Sequence, residues 1–366
     1  MRVEQDLLKR YFSDYWPLPS LQHLASSCER PQRLPTSCSV RHVVFLAKAT
    51  ILSAICLPVH AQFPAPSYDE VFPAAFIHQG TPAKTQVECE STPNAVWITA
   101  QWRNSDPGLN GQNIESLSEC IRYYPSESAI GANTAIFFFS GDVVLDRDVN
   151  DSVTNPGYGN NSYSLQMSMS NRQAGVLGVP YIHVARPGMY GSTGNTAIFR
   201  HSKREAATIL EAVNAIKAKF GYSRISIVGQ SGGGGLVGSL LTSGRTDLDC
   251  VAIASGTVSL KTRLRTSKAT SNVRPGRDTT GLPYDQLYDS LDLLSNVKAD
   301  PRRRVFVLAD PDDEAVSYIS QKEFADKANA LGVPVVLVQE KGKGKQHHGL
   351  ASRGLEMAAN CVKELN

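Results

Sequence analysis

The stretch ISIVGQSGGGGLVGSLL, residues 225–241, constrains the fold more than any other part of the chain. A β-branched apolar run ends at Gly229, Ser231 follows, four glycines come next, and an amphipathic run follows them. The pattern reads as a strand entering a helix through a turn too tight for side chains two positions either side of the serine. Such a turn strains the serine backbone and lifts its Oγ beyond the sheet edge. It also aims the N–H of Gly232, at the helix N-terminus, toward any negative charge formed there. A phosphate loop would need Lys then Ser or Thr after the last glycine, and Leu236-Val237 stand there. A dinucleotide fingerprint needs another glycine spacing and an acid about 20 residues on, and Asp247 and Asp249 keep that alternative open.

The flanking sequence alternates in the same way. Strand-like runs occur at Trp97–Trp102, Ile136–Phe139, Tyr181–Ala185, Ile225–Val228, Val251–Ala254, Val305–Ala309 and Val335–Gln339. Helix-period segments separate the later ones, at Tyr163–Leu177, His201–Phe220, Gly233–Leu241, Ser317–Leu331 and Ala351–Leu365. Short continuous apolar strands alternating with helices predict an α/β fold, a mostly parallel sheet covered on both faces. At 366 residues and 42% hydrophobic, the chain can bury a sizeable core. A formal net charge of +3 gives no field directed at nucleic acid or a membrane surface.

The N-terminal region carries a basic flank at Arg41, an apolar run from Val43 to Leu57, and Val59-His60-Ala61 before a proline-rich stretch. This fits a secretory signal peptide cleaved before Gln62, better than a core helix or a membrane span, which needs about 20 apolar residues. The preceding segment is longer than an ordinary n-region, which places the expected translation start near Val43. The expected division is a leader over 1–61 and one domain over 62–366, secreted or periplasmic, with no stable membrane insertion after cleavage. Removing the leader takes Cys28, Cys38 and Cys56 with it and leaves Cys89, Cys120, Cys250 and Cys361. An even count in an exported chain fits two disulfides, and four cysteines allow three pairings. Cys89–Cys120 is favoured as local, and Cys250–Cys361 as joining neighbouring elements; four free thiols are the alternative.

A serine nucleophile needs a base and an acid to orient it. After the strand RVFVLA comes DPDDEAVSYISQ, and after VPVVLVQE comes KGKGKQHHGL, so an acidic loop and a histidine loop leave the same sheet edge as Ser231. Here the chain from about Asn133 to Asn366 resembles the α/β-hydrolases, and GQSGGG resembles their nucleophile elbow. The resemblance implies an acid reading D-x-x-V, which selects Asp313 over Asp310 and Asp312, one of these serving instead as a helix N-cap. It implies a base before glycine, His348, with His347 as alternative. Oxyanion donors would be the N–H of Gly232 and one from Gly141 or Asp142, in a loop where relatives often carry His-Gly and this chain has Ser140-Gly141. The loop RPGMYGSTG, Arg186–Gly194, is read as a tight turn, and His60, His78, His183 and His201 as structural or surface residues.

The activity this implies is hydrolysis of a small or polymeric carboxylic ester through an acyl-enzyme, without cofactor or metal. A prolyl-oligopeptidase-like peptidase and a non-catalytic binding protein on the same fold are the alternatives. The acids of DPDDE do not follow the spacing of an EF-hand loop, and the adjacent His347-His348 do not form a helical metal pair. Residues 257–300 interrupt the alternation and read as a cap over the sheet edge. Its first part holds six basic residues and no acid, among them Lys261, Arg263 and Arg265, which fits either a solvated surface loop or a preference for an acidic or polyanionic substrate.

Overall fold

A computed structural model describes residues 69–105, 112–143, 161–344 and 346–365. The expected leader and its cleavage site lie outside the described residues. Among the described residues the strands are β1 (Ala95–Ser105), β2 (Gln112–Pro125), β3 (Ile136–Phe139), β4 (Tyr181–Val184), β5 (Ile225–Gln230), β6 (Leu248–Ala254), β7 (Arg304–Ala309) and β8 (Val335–Gln339). They form one sheet in the order β1-β2-β4-β3-β5-β6-β7-β8. The β1–β2 and β2–β4 pairs are antiparallel and every pair from β4 to β8 is parallel. The expected mostly parallel α/β sheet is therefore present. β3, β4, β5 and β6 are buried at every position, as strands covered on both faces must be, whereas β8 at the edge is half open.

Helices α1 (Gln86–Ser91), α2 (Tyr163–Leu177), α3 (Lys203–Phe220), α4 (Gly232–Thr242), α5 (Leu260–Thr266), α6 (Tyr318–Ala330) and α7 (Ala351–Leu365) surround the sheet. On one face Ile209, Val213 and Ile216 of α3, Leu240 and Leu241 of α4 and Phe324 of α6 join the core. On the other, Leu177 of α2 and Leu355, Ala358 and Val362 of α7 pack beneath Val228, Ala252 and Leu308. The stripe that predicted α3 thus faces inward. Ser202 caps its start by accepting from Glu205 N–H, and Gly221 ends it in the left-handed conformation at φ 72°.

The chain runs from β3 outward to β4, then returns past β3 to β5. The loops after β3 and β5 leave the carboxyl edge in opposite directions and open a crevice there. The long segment after β6 carries α5 and three 3-10 turns, with no named strand before β7. Both favoured disulfides form, Cys89 of α1 with Cys120 of β2, and Cys250 of β6 with Cys361 of α7. No helix among the described residues is long and apolar enough to cross a membrane.

Candidate active site

Ser231 sits between β5 and α4 at φ 57°, ψ −121°, a left-handed conformation that a side chain rarely adopts. The glycines around it fill a steric need. A Cβ on Gly229 would collide with the Gly233 carbonyl, and one on Gly233 with the carbonyls of Phe139 and Ser140. The turn is pinned from outside: Ser231 N–H donates to Ala254 O at 2.9 Å, and Ser231 O accepts from Gly235 and Thr257 N–H at 3.1 Å each. The loop after β3 rests directly on it, because a Cβ on Gly141 would stand 3.2 Å from Ser231 Cβ. Among the described residues, neither Gly141 nor Asp142 N–H donates a hydrogen bond to protein. As the first residue of α4, Gly232 has no intrahelical partner for its N–H either. All three predicted donor positions therefore gather around Ser231.

The aspartate and histidine loops give the candidate carboxylates and the two histidines different partners. His348 Nδ1 lies 2.9 Å from Asp313 Oδ2 and 3.1 Å from Oδ1, and the Asp313 side chain is fully buried. Asp313 Oδ1 also accepts the N–H groups of Ala315 and Val316, at 2.8 and 2.9 Å, which gives the D-x-x-V spacing its physical basis. Asp310 has a different task. Its Oδ1 accepts from Asp312 N–H at 2.8 Å and its Oδ2 from Gly342 N–H at 2.7 Å, tying the acid loop to the histidine loop. His347 turns toward that carboxylate, with Nδ1 3.5 Å from Asp310 Oδ2. The expectation that Asp310 or Asp312 caps the following helix fails, since Ser317 caps α6 by accepting from Ser320 N–H.

Gln230, beside the serine, holds the histidine loop by its main chain. Its Nε2 donates to His348 O at 2.7 Å and its Oε1 accepts from Leu350 N–H at 3.0 Å. Among the described residues, no hydrogen bond joins Ser231 Oγ to either histidine ring. The structure brings the three loops to one edge and pairs Asp313 with His348, while among the described residues the Ser231 hydroxyl makes no hydrogen bond. A serine elbow after β5, an aspartate loop after β7 and a histidine loop after β8, in that chain order on a mainly parallel sheet, define the architecture. The chain has the α/β-hydrolase fold.

No family model and no curated protein matches the sequence. Among solved structures it is similar to the Pyrococcus furiosus esterase Pf2001, with 12% identity and a TM-score of 0.44 over 81% of this chain and 100% of that one. It is similar to Est1E from Butyrivibrio proteoclasticus, with 13% identity and a TM-score of 0.45 over 73% of this chain and 98% of that one. It is also similar to the Pyrococcus horikoshii acylaminoacyl peptidase, with 18% identity and a TM-score of 0.44, covering 72% of this chain. The match spans 40% of that peptidase's length.

Behind this α/β-hydrolase elbow lies a buried charge network that the sequence did not disclose. A Cβ on Gly232 would strike the Asp142 carboxylate, so that group packs against the elbow itself. Arg186, fully buried, binds Asp142 through Nη1 at 2.7 Å and Glu205 through Nη2 at 2.8 Å. His201 stands 2.9 Å from Asp142 through Nε2 and 3.3 Å from Asp278 through Nδ1. Burial alone would raise the Asp142 carboxyl, but the His201 and Arg186 charges hold it well below its ordinary pKa. Burial alone would lower the His201 ring, and the Asp142 charge with hydrogen bonds to Asp142 and Asp278 raises it instead. Arg186 is thus more than turn chemistry; its position in RPGMYGSTG was the only cue. His183 is structural as expected, its Nδ1 2.8 Å from Gln166 Oε1 and its pKa pushed down to about 4 by burial. Asp310, Asp312 and His347 bring three donor atoms within 4.8 Å of one another, with both Asp310 oxygens already accepting backbone N–H groups.

Proposed function

We propose that the chain is an exported serine hydrolase that cleaves carboxylic esters, with Ser231 as nucleophile, His348 as base and Asp313 as its orienting acid. The observation that carries this reading is the buried Asp313 bonded to His348 Nδ1 beside a strained serine turn. Ser231 Oγ attacks the ester carbonyl carbon and passes its proton to His348 Nε2. Asp313 keeps the Nδ1–H tautomer and stabilises the imidazolium. The tetrahedral oxyanion is received by Gly232 N–H and by an N–H of the Gly141–Asp142 loop. The alcohol leaves with the proton from His348, and water attacks the acyl-enzyme with the same ring as base. Catalytic hydrogen bonds of the Ser–His kind tighten when substrate is bound, which accommodates the unengaged hydroxyl. Asp142 would repel an oxyanion formed so near it, and Arg186 and His201 offset its charge.

Ester cleavage is preferred because the GQSGGG elbow resembles esterases. Two disulfides and the signal-like leader support export. Labelling with a fluorophosphonate, followed by turnover of short-chain aryl esters and aminoacyl anilides, tests the reading. Expected are an adduct on Ser231, ester turnover above anilide turnover, and a loss on the order of 10⁴-fold or more in kcat for Ser231→Ala or His348→Ala. Anilides hydrolysed faster than esters would make it a peptidase; neither adduct nor turnover would make it a binding protein.

A further inference from the structure

Helix α5 leaves the carboxyl edge of β6 next to the proposed site, and the basic residues that drew attention in the sequence lie on and after it. Most are already engaged. Lys261 pairs with Asp292 at 2.5 Å, Lys268 with Glu314 at 2.7 Å, and Arg265 Nη2 donates to Thr262 Oγ1 at 3.0 Å. Arg277 Nη1 donates to Gly281 O at 2.6 Å. A generally cationic lid is therefore not what the segment provides.

Arg263 differs from these. It is 8% exposed, and its Nε donates to Ala315 O at 3.1 Å. Among the described residues, its Nη1 is buried with no hydrogen-bond partner, and neither Nη1 nor Nη2 is in a salt bridge. Its anchor, Ala315, belongs to the acid loop, where Ala315 N–H binds Asp313. The charges that act on its guanidinium are Asp142, Asp278 and Asp313, which attract it, and Arg200, which repels it. Arg263 is thus anchored to the loop whose Asp313 holds His348, and the charge of Asp142, which abuts Gly232, also acts on it. Burial pushes its pKa down against the pull of Asp142 and Asp278, yet an arginine keeps its charge. A buried guanidinium nitrogen left without an acceptor is costly to a fold, and among the described residues no oxygen relieves Nη1. A carboxylate reaching the guanidinium would add a charge-assisted N–H···O bond.

We propose that Arg263 binds a carboxylate on the substrate, so that the site takes esters carrying a free carboxylate near the scissile bond. This rests on the hydrolase reading above. A purely structural Arg263, tying α5 to the acid loop, would affect all esters alike, whereas a substrate ligand discriminates by charge.

The test compares 4-nitrophenyl hemiglutarate and 4-carboxyphenyl valerate with 4-nitrophenyl valerate, which is uncharged. At least one charged ester should be preferred in kcat/KM by roughly 10–100-fold, the worth of a charge-assisted hydrogen bond. Arg263→Met should abolish that preference and Arg263→Lys should restore part of it, while Lys261→Met should leave both rates and preference as they are. Absence of a preference, or its survival in Arg263→Met, overturns the proposal while neutral-ester turnover and Ser231 labelling leave the hydrolase reading standing. Calorimetric titration of Ser231→Ala with glutarate gives an answer independent of turnover. Binding that Arg263→Met removes supports the proposal, and its absence in Ser231→Ala overturns it.

Discussion

Gln230 occupies the variable position of G-x-S-x-G, yet its side chain closes two hydrogen bonds on the main chain of the histidine loop. The backbone groups it serves flank the imidazole, so losing the amide frees the ring to shift relative to Ser231. Shifts near 1 Å at a catalytic group cost on the order of 10²-fold in rate. Gln230→Ala is therefore expected to lower kcat roughly 10–100-fold with KM changed by less than about threefold, and to slow fluorophosphonate labelling in parallel. An unchanged kcat would show that Asp313 alone holds the base in place. The candidates Ser231, Asp313 and His348 could be picked out because each follows a predicted strand and sits in a local pattern with a steric cause. Gln230 could not, because its partners lie about 120 residues downstream and its position in the pattern accepts any side chain. The Arg186–Asp142 and Arg186–Glu205 pairs were hidden for the same reason, and turn residues beside Arg186 invited a reading in local terms only.

Element existence followed hydrophobic periodicity where strands are buried along their whole length, as in β3, β5 and β6, and along the amphipathic α3. It failed for β2. The first half of that strand, at Ile114–Ser118, is mostly exposed and pairs only with β1. Its buried half carries Glu119 and Arg122, charged residues that break any apolar run and are tolerated because Arg204 and Glu70 pair with them. The disulfides act at this scale too. Cys250–Cys361 fastens α7, whose first residue follows directly on the histidine loop, to the central β6, and closes 111 residues against 31 for Cys89–Cys120. In the chain-entropy account, the longer closure contributes about 1 kcal/mol more, within a range of about 2–5 kcal/mol per bond. Urea titration of Cys250→Ser/Cys361→Ser and Cys89→Ser/Cys120→Ser should rank them in that order. Equal midpoints at equal slopes would argue that loop length does not set the stabilisation here.

Across the whole molecule, pH acts through charges that folding buries together beside the elbow. Asp142 and Asp278 have folded pKa values below their unfolded ones, so their contributions are present above about pH 3.9 and are lost as acid protonates them through the folded values. His201 runs the other way. Its folded pKa lies above the unfolded value of about 6.5, so its contribution is complete below that pH and is lost as pH rises through the folded value. Stability should therefore form a plateau with an acid shoulder set by the two aspartates and an alkaline shoulder set by His201. Thermal unfolding of the wild type is expected to show Tm declining as pH is raised above about 6.5, whereas His201→Gln should start lower and decline less over the same interval. Both proteins should keep the acid shoulder, since Arg186 still holds Asp142 ionised. Parallel alkaline slopes for the two would remove His201 from the account and assign the decline to some other buried group. A wild type with no alkaline decline would mean that the Asp142 charge does not outweigh burial at that ring. Loss of the His201 charge also weakens the offset to Asp142 at the oxyanion site. In the proposed mechanism, ester turnover by the folded enzyme should then fall over the same alkaline range in which Tm declines.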